Sequence, residues 1–301
     1  MLRVVLAIFL SAMLSPVALA ASPKGSAADL LETRDQVLVS AMRQSIGAPA
    51  RADIGDQATA RLSEDLLFVP QEPAIRLLTV SGTPVPPDFE ALLVGSQGMD
   101  APGFIRFVSA GFIDSDAALA WTADDILASL RDTVEDGNPD RAKNNQQQRE
   151  ARRWVRPPHY DPENHQLSWA ALILPKSAPR ESDGEITYHA IAFGREGYIE
   201  LAIVTSVEQA EEVGRMADRF LVGLSFRPGK AYGDALPTDP RAPGGLVAAM
   251  GLDQLHKAEV RGNFLAGDMV VPVAGGIVAA IGALSLFVYI QRHLRRESRR
   301  G

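Results

Sequence analysis

The sequence predicts an α+β protein, in which a mainly antiparallel sheet is packed with helices, plus one C-terminal transmembrane helix. Three observations predict this class. Between His165 and Thr205, apolar side chains alternate with a period of two, which is typical of strands joined by hairpins. Segments whose apolar residues have helical spacing lie before and after these strands and do not alternate with them one by one. This order favours an α+β fold over a parallel sheet. Finally, residues 269–290 carry no charged side chain.

The first 20 residues are predicted to be a secretory signal peptide. Arg3 supplies a positive charge, Val4 to Leu14 is a short apolar segment, and the triplet ending at Ala20 fits a cleavage site before Ala21. The alternative is an uncleaved anchor, for which the apolar segment is short. Residues 21–48 are then predicted to form an N-terminal helix.

Residues 49–229 are predicted to form one exported α+β domain. Its first half contains candidate strands and two helices, namely an extended segment at 57–69, a short helix at 74–80, strands at 91–94 and 104–108, and a helix at 122–134. The last of these begins with a capping box formed by Thr122 and Asp125. Gly137-Asn138-Pro139 is expected to end it.

The second half of the domain reads as strands followed by a helix. Strands are predicted at 152–155, 165–174, 185–193 and 198–205, with Gly194-Arg195-Glu196-Gly197 as the hairpin turn between the last two. Ser206 to Gln209 is expected to cap the final helix. The predicted core face of that helix consists of Val213, Met216, Phe220, Leu221 and Leu224. A short strand at 224–226 is expected to close the domain.

The C-terminal part predicts a single-pass membrane protein. Residues 230–268 read as a Pro/Gly-rich linker with a short helix at 246–255. Residues 269–290 would form a helix of about 33 Å, enough for a bilayer core of about 30 Å. The basic tail, residues 291–301, contains five arginines and is expected to stay in the cytoplasm. The predicted location is therefore the bacterial inner membrane, with the bulk of the chain in the periplasm and the lipid bilayer as a partner.

Small residues within the predicted span form a strip. Gly275, Ala279 and Ala283 recur every four residues, a spacing that lets two helix backbones approach closely. Weak homo-oligomerisation through this strip is one interpretation. The other is that glycine and alanine merely keep the helix apolar.

Composition excludes several kinds of site. The net charge is −7 although the tail is basic, so the exported part is acidic and is not expected to bind nucleic acid or an anionic lipid surface. The chain has no cysteine, which excludes disulfides, thiolate chemistry and cysteine zinc sites. An ordinary hydrophobic core must therefore hold the domain together.

The densest candidate site is an aromatic and proline-rich block. A groove for a partner is predicted from residues whose rings give large contact area at low entropic cost, namely Trp154, Pro158, His159, Tyr160 and Trp169. The alternative is a strand entry and a core. That alternative is favoured by the alternation of Leu167 with Trp169, and by the turn signal at 160–164.

Catalytic and metal motifs are weak or absent in the sequence. His159, His165 and His189 are enough ligands for zinc, but no metalloprotease spacing joins them. The acidic residues Asp114, Asp116, Asp124 and Asp125 do not match a calcium-binding loop, and capping explains the last. No phosphate loop, dinucleotide fingerprint or nucleophile elbow is present. No cofactor and no catalytic residue are therefore predicted.

Several blocks occur in the order found in a known bacterial family. They are QATARLSEDLLFVP at 57–70, GFIDSDAALAWTADDILASL at 111–130, WVRPPHYDPENHQLSWA at 154–170, ITYHAIAFGREGY at 186–198 and GLSFRPGKAYGD at 223–234. The chain resembles the family labelled "predicted membrane-anchored protein", which is catalogued as a domain of unknown function. This resemblance implies an architecture and a location, and it brings no catalytic residues. More distantly, the strand–helix–strand ending is similar to small α+β domains of the photosystem-subunit and Ran-binding assembly-factor type.

Three function classes follow from the sequence. The first is a membrane-anchored envelope protein with an exported, non-catalytic interaction or assembly domain, working with another envelope or membrane protein. The second is a signalling component that needs a membrane partner, because only about ten residues follow the predicted span. The third is an enzyme acting on envelope polymers, which carboxylate pairs such as Asp161 and Glu163 leave open.

Overall fold

The computed structural model describes residues 27–95, 101–114, 122–242 and 245–251. The predicted signal peptide, apolar span, basic tail and small-residue strip of Gly275, Ala279 and Ala283 lie outside these residues, as does Asp116. Within the described part of the chain, no helix is both long enough and apolar enough to cross a membrane.

The described elements alternate irregularly between helices and strands. The helices are α1 (Ala27–Arg43), α2 (Gln71–Val80), α3 (Ala123–Asp136), α4 (Asn138–Lys143), α5 (Ala210–Gly223) and α6 (Gly245–Ala249). The strands are β1 (Ile46–Gly47), β2 (Arg51–Ile54), β3 (Ala58–Arg61), β4 (Leu66–Pro70), β5 (Phe89–Gly95), β6 (Gly103–Val108), β7 (Arg149–Asp161), β8 (Gln166–Pro175), β9 (Glu185–Phe193), β10 (Tyr198–Ser206) and β11 (Leu224–Phe226).

Eight strands form one large sheet in the order β1-β4-β5-β6-β10-β9-β8-β7, and three form a small sheet in the order β11-β3-β2. All of these strand pairs are antiparallel. The pairs joined by short connections, such as β7 with β8 and β9 with β10, have to be antiparallel, because short connections cannot join parallel neighbours. The predicted α+β class with a mainly antiparallel sheet is confirmed.

The two faces of the large sheet are covered by different elements. The inner face packs on α5 and the small sheet in one apolar cluster that includes Ile105, Leu172, Leu201 and Phe220. The outer face is covered by α1 and α2 over β4 to β6, and by α3 over β7 and β8. Since side chains alternate along a strand, each central strand contributes to both cores.

Helix α3 begins as its sequence predicts. The Thr122 side chain accepts a hydrogen bond from the Asp125 backbone N–H, and the Asp125 carboxylate accepts one from the Thr122 N–H. This reciprocal pair satisfies two of the donors that a helix N-terminus leaves without partners. Gly137 ends α3, but Asn138 starts the short α4 instead of a loop, because Pro139 is tolerated in the first helical turn.

Helix α5 buries the predicted face, with two differences at its ends. Val213, Met216, Phe220 and Leu221 are buried, whereas Leu224 already belongs to β11 and is half-buried. Ser206 makes no capping hydrogen bond through its side chain, because a 3₁₀ turn at 207–209 separates it from α5. The prediction that Ser206 to Gln209 caps this helix was therefore wrong.

Two strand predictions also differ from the structure. The segment 57–69 is not one extended run, because a turn at 62–65 divides it between β3 of the small sheet and β4 of the large one. Conversely, β7 continues through Pro157 and Pro158 to Asp161, with three register shifts against β8. Proline is tolerated there because β7 is an edge strand, where half of the backbone groups need no strand partner.

Candidate functional site

A charged cluster lies on the outer face of the sheet, among apolar neighbours. We call Arg106, His189 and Glu200 the charge centre. Arg106 of β6 and Glu200 of β10 are cross-strand partners, and the Arg106 Nε donates to Glu200 Oε2. His189 of β9 lies diagonally opposite, with its Nδ1 2.6 Å from Glu200 Oε1. One carboxylate therefore holds a guanidinium and an imidazole side by side.

Glu200 is ionised in this setting. Burial alone would raise the pKa of its carboxyl group, but the bond from His189 and the positive charge of Arg106 outweigh burial and lower the pKa to about 2. An ionised carboxylate only accepts hydrogen bonds, so His189 must donate through Nδ1. In the neutral imidazole the lone pair is therefore on Nε2, which faces away from Glu200.

The charge centre has a buried floor and partly open edges. The Glu200 side chain is 3% exposed, whereas Arg106 is 23% and His189 is 21% exposed. Trp169 of β8 stacks on the His189 ring with centroids 4.7 Å apart and planes 11° apart. This contact fixes the ring plane of His189 and covers one of its two faces.

A second cluster consists of aromatic rings at the end of the sheet, which we call the ring stack. Tyr232 lies between His165 and Phe112, with centroid distances of 3.8 Å and 4.7 Å. The Tyr160 hydroxyl is 3.2 Å from His165 Nδ1. These four rings come from three separate parts of the chain and all are half-buried.

His165 is the centre of the ring stack. It has a positive φ of 51° at the turn between β7 and β8, and its carbonyl accepts a hydrogen bond from the Phe193 N–H. Burial lowers the pKa of its imidazole, while the charge of Asp161 opposes that shift. The titratable ring of His165 thus joins the β7–β8 hairpin to the chain segment that carries Tyr232.

The turn at 194–197 holds residues 227–242, which we call the strap. Arg195 binds Asp239 through two hydrogen bonds of 2.7 and 2.9 Å, which help to keep the pKa of Asp239 at about 2. Glu196 binds Lys230 at 2.6 Å. The charges of this turn therefore hold the strap against the domain.

Backbone hydrogen bonds complete this attachment of the strap. The Phe112 N–H donates to the Pro240 carbonyl, and the Ala242 N–H donates to the Phe112 carbonyl. Farther along, Leu246 and Ala249 of α6 are buried against Ile113 and Trp169 in the same apolar cluster. The described part of the predicted linker, up to residue 251, is thus packed against the domain.

The predicted groove residues differ in how far they are buried. Trp169 is 4% exposed and belongs to the core. Trp154 is half-buried, and its indole N–H donates to the Ala123 carbonyl of α3. Pro158 and His159 lie on edge strand β7, where His159 is exposed, and Tyr160 belongs to the ring stack. Another molecule could thus reach part of Trp154, Pro158, His159 and Tyr160, but not Trp169.

The histidine and acidic residues that were considered as metal ligands are also separated. His189 is in the charge centre, His165 is in the ring stack and His159 lies on the edge strand. Asp114 pairs with Arg241 at 3.1 Å, and Asp125 caps α3. Among the described residues, no three His, Asp or Glu side chains are close enough to hold a metal ion.

Sequence reasoning missed Arg106 and Glu200. The available signal was a carboxylate inside the apolar strand YIELAIVTS, where its two immediate neighbours Ile199 and Leu201 are both buried. Since charged residues are almost never fully buried without a partner, such a position predicts a paired charge. Only the register of β6 against β10 identifies Arg106 as that partner.

Comparisons with known proteins give a family. No curated protein matches the chain. Among solved structures, the chain is similar to the solution structure of cyanobacterial PsbP (CyanoP) from Synechocystis sp. PCC 6803, at 13% identity and a TM-score of 0.35, over 61% of this chain and 92% of that one. At these values the likeness carries no argument about fold or function. A family model described as "Protein of unknown function (DUF2167)" matches residues 47–283. This range includes both clusters and the whole large sheet except Ile46 of β1. The chain therefore belongs to the DUF2167 family.

Proposed function

We propose that this protein is a membrane-anchored component of the bacterial envelope whose α+β domain lies in the periplasm and binds another envelope or membrane protein. The anchor in this proposal is the apolar segment 269–290, and export depends on the signal peptide at 1–20. The binding role is carried by one observation, the half-exposed ring stack beside the exposed edge strand β7.

The ring stack has the properties of a contact surface. Tyr160 and Tyr232 are large and have few rotatable bonds, so they give contact area at a low cost in conformational entropy. The stacking of Tyr232 with His165 and Phe112, and the contact of the Tyr160 hydroxyl with His165, also hold the two tyrosines in place before a partner arrives. His159 is exposed on the same strand, but it pairs with Ser168 while Tyr160 pairs with Leu167, so its side chain lies on the opposite face of the sheet from the ring stack.

A second candidate function is signal transfer through the membrane, and the strap favours it. The turn at 194–197 and Phe112 hold the strap through ion pairs and backbone hydrogen bonds. Because the strap is attached to the sheet at these points, a displacement of the sheet would also move the residues that follow the strap. Binding at the ring stack, which includes Tyr232 of the strap, would act directly on that connection.

Site-specific photocrosslinking tests the binding role in the full chain, in membranes. A photoreactive aromatic residue in place of Tyr160 should give a discrete crosslinked product, and Tyr232→Ala should weaken that product because it removes the ring that lies between His165 and Phe112. The control position is Val222, which is 77% exposed on α5. Equal products at positions 160 and 222, or none at position 160, would remove the ring stack as the contact surface.

Reporter fusions test the location separately. A fluorescent protein that matures only in the cytoplasm should be bright after Gly301 and dark after Gly229 in a truncated chain. The reverse pattern would contradict the proposed topology. It would not change the interpretation of the crosslinking result.

A further inference from the structure

The charge centre is not explained by stability alone. Its three polar side chains stand on a face whose neighbours Trp169, Ile191 and Ala202 are apolar and buried. Burying a carboxylate costs several kcal/mol of desolvation, and well-packed apolar side chains of similar volume are often as stable or more so. A buried ion pair with two partly exposed donors therefore points to a role in binding.

Arg106 and His189 each keep nitrogen atoms that do not bind Glu200. Arg106 uses Nε for Glu200, and within the described residues its two terminal nitrogens have no hydrogen-bond partner. His189 uses Nδ1 for the same carboxylate, which leaves Nε2 without a partner in that part of the chain. Both side chains reach the surface while Glu200 does not.

This arrangement fits an oxyanion. The terminal nitrogens of a guanidinium form a planar fork that matches carboxylate and phosphate oxygens. Both nitrogens of a protonated imidazole are donors, so His189 in that form donates through Nδ1 to Glu200 and through Nε2 to a bound anion as its second ligand. The Trp169 stack keeps the imidazole in the plane in which Nε2 points away from the carboxylate.

We propose that Arg106 and His189, held by Glu200, bind the carboxylate or phosphate group of a small anionic ligand on the outer face of the sheet. Glu200 is a positioning residue in this site, because it contacts both ligand-binding side chains and not the ligand. The site is separate from the ring stack, and it stands whether or not the ring stack binds a partner.

The chain has five histidines, so selective ¹⁵N-histidine labelling of the full chain in detergent micelles gives few imidazole signals. His189→Asn identifies the signal of interest. Acetate and inorganic phosphate are then titrated against chloride at constant ionic strength. The expected result is a saturable shift of the His189 Nε2 signal with either anion, without a comparable shift at His165.

Arg106→Lys should weaken the anion affinity at least about tenfold, because lysine keeps a charge for Glu200 but loses the fork. The matched control is Arg149→Lys, since Arg149 also pairs with a β9 carboxylate, Glu185, and is 18% exposed. Saturation by acetate alone assigns a carboxylate ligand, and saturation by phosphate alone assigns a phosphoryl group. The proposal would be wrong if no saturable shift appears, or if Arg106→Lys and Arg149→Lys weaken the anion affinity equally.

Discussion

At the scale of single residues, Glu200 has the strongest effect on its surroundings. Its carboxylate accepts from both Arg106 and His189 beneath the surface of the sheet. Removing one partner of a buried pair leaves the other charge without compensation, which typically costs about 3–5 kcal/mol. We expect Glu200→Gln to lower the free energy of unfolding by about that amount, measured by urea denaturation near neutral pH. Glu185→Gln, at a half-exposed pair on the next strand, should cost clearly less.

The contribution of Glu200 should also depend on pH. Its pKa is lowered from 4.5 to about 2 in the folded protein, so the unfolded chain binds the proton first as pH falls. The stabilisation is therefore complete above about 4.5 and is lost between about 4.5 and 2, and it amounts to roughly 3 kcal/mol. The difference in unfolding free energy between the parent and Glu200→Gln should shrink over that range. A difference that stays constant with pH would mean that folding does not lower the pKa of the Glu200 carboxyl group.

His165 should make the strap sensitive to mild acid. Burial lowers the pKa of its imidazole below the ordinary 6.5, so the folded state favours the neutral ring. The stability from the neutral ring is present above about 6.5 and decreases as pH falls below that value. Amide hydrogen exchange at 230–242 should therefore accelerate on mild acidification, after correction for the intrinsic rate. His165→Asn keeps a residue that tolerates positive φ and should remove this extra acceleration.

At the scale of elements, the sequence predicted those whose signals are local. Helix α3 was recognised because its capping box and its apolar face are both visible within 15 residues. Strands β8 to β10 were recognised because alternation and the glycine turn agree. Strand β7 was only partly recognised, because Pro157 and Pro158 normally argue against a strand, and its edge position depends on the whole sheet order.

The candidate site was harder to predict than the elements, because it depends on register. Trp169 and His189 were both noticed in the sequence, but only the pairing of β8 with β9 brings their rings together. Arg106 and Glu200 are separated by 94 residues. Tyr232 was assigned to a linker because prolines and glycines surround it, although its ring stacks on the sheet.

Helix α5 should depend on the ring that it buries most deeply. Phe220 is 2% exposed between α5 and the inner face of the large sheet. Phe220→Ala should therefore cost about 3–5 kcal/mol, through lost transfer energy and the cavity left behind. The control on the same helix is Val222→Ala, which removes a side chain that is 77% exposed and should change stability little. Similar costs for both variants would show that α5 is not packed on this face.

The turn between β9 and β10 should tolerate no side chain at Gly197. Its φ of +152° is rare for other residues, and an added Cβ would lie 1.9 Å from the Val108 carbonyl oxygen. Gly197→Ala should destabilise the protein by at least about 1–3 kcal/mol, the usual cost of such backbone strain. Gly233→Ala is the control, because a Cβ added there would have no atom of another residue within 4 Å. Thermal unfolding of the two variants measures the difference.

At the scale of the whole molecule, the domain is held together from both ends of the described chain. Leu38 and Ala41 of α1 are buried against α2 and the outer face. Tyr232 and Leu246 pack at the opposite end of the same face. The sheet edges are blunted, since β1 has two residues and β7 contains two prolines and three register shifts. This architecture favours contact through side chains over the addition of a strand from another molecule.

The domain boundaries follow from those contacts. The sequence predicts residues 49–229 as the folding unit, but this segment lacks α1, the strap and α6. Each buried leucine or aromatic side chain that is removed costs about 1.5–3 kcal/mol. We therefore expect residues 27–251 to unfold cooperatively in urea, and residues 49–229 to be less stable by several kcal/mol. The intermediate segments 27–229 and 49–251 separate the two ends, whose contributions should add if the ends act independently. Equal denaturation midpoints for all four segments would mean that neither end contributes to the core, and the contacts of Leu38 and Tyr232 would then have no energetic weight.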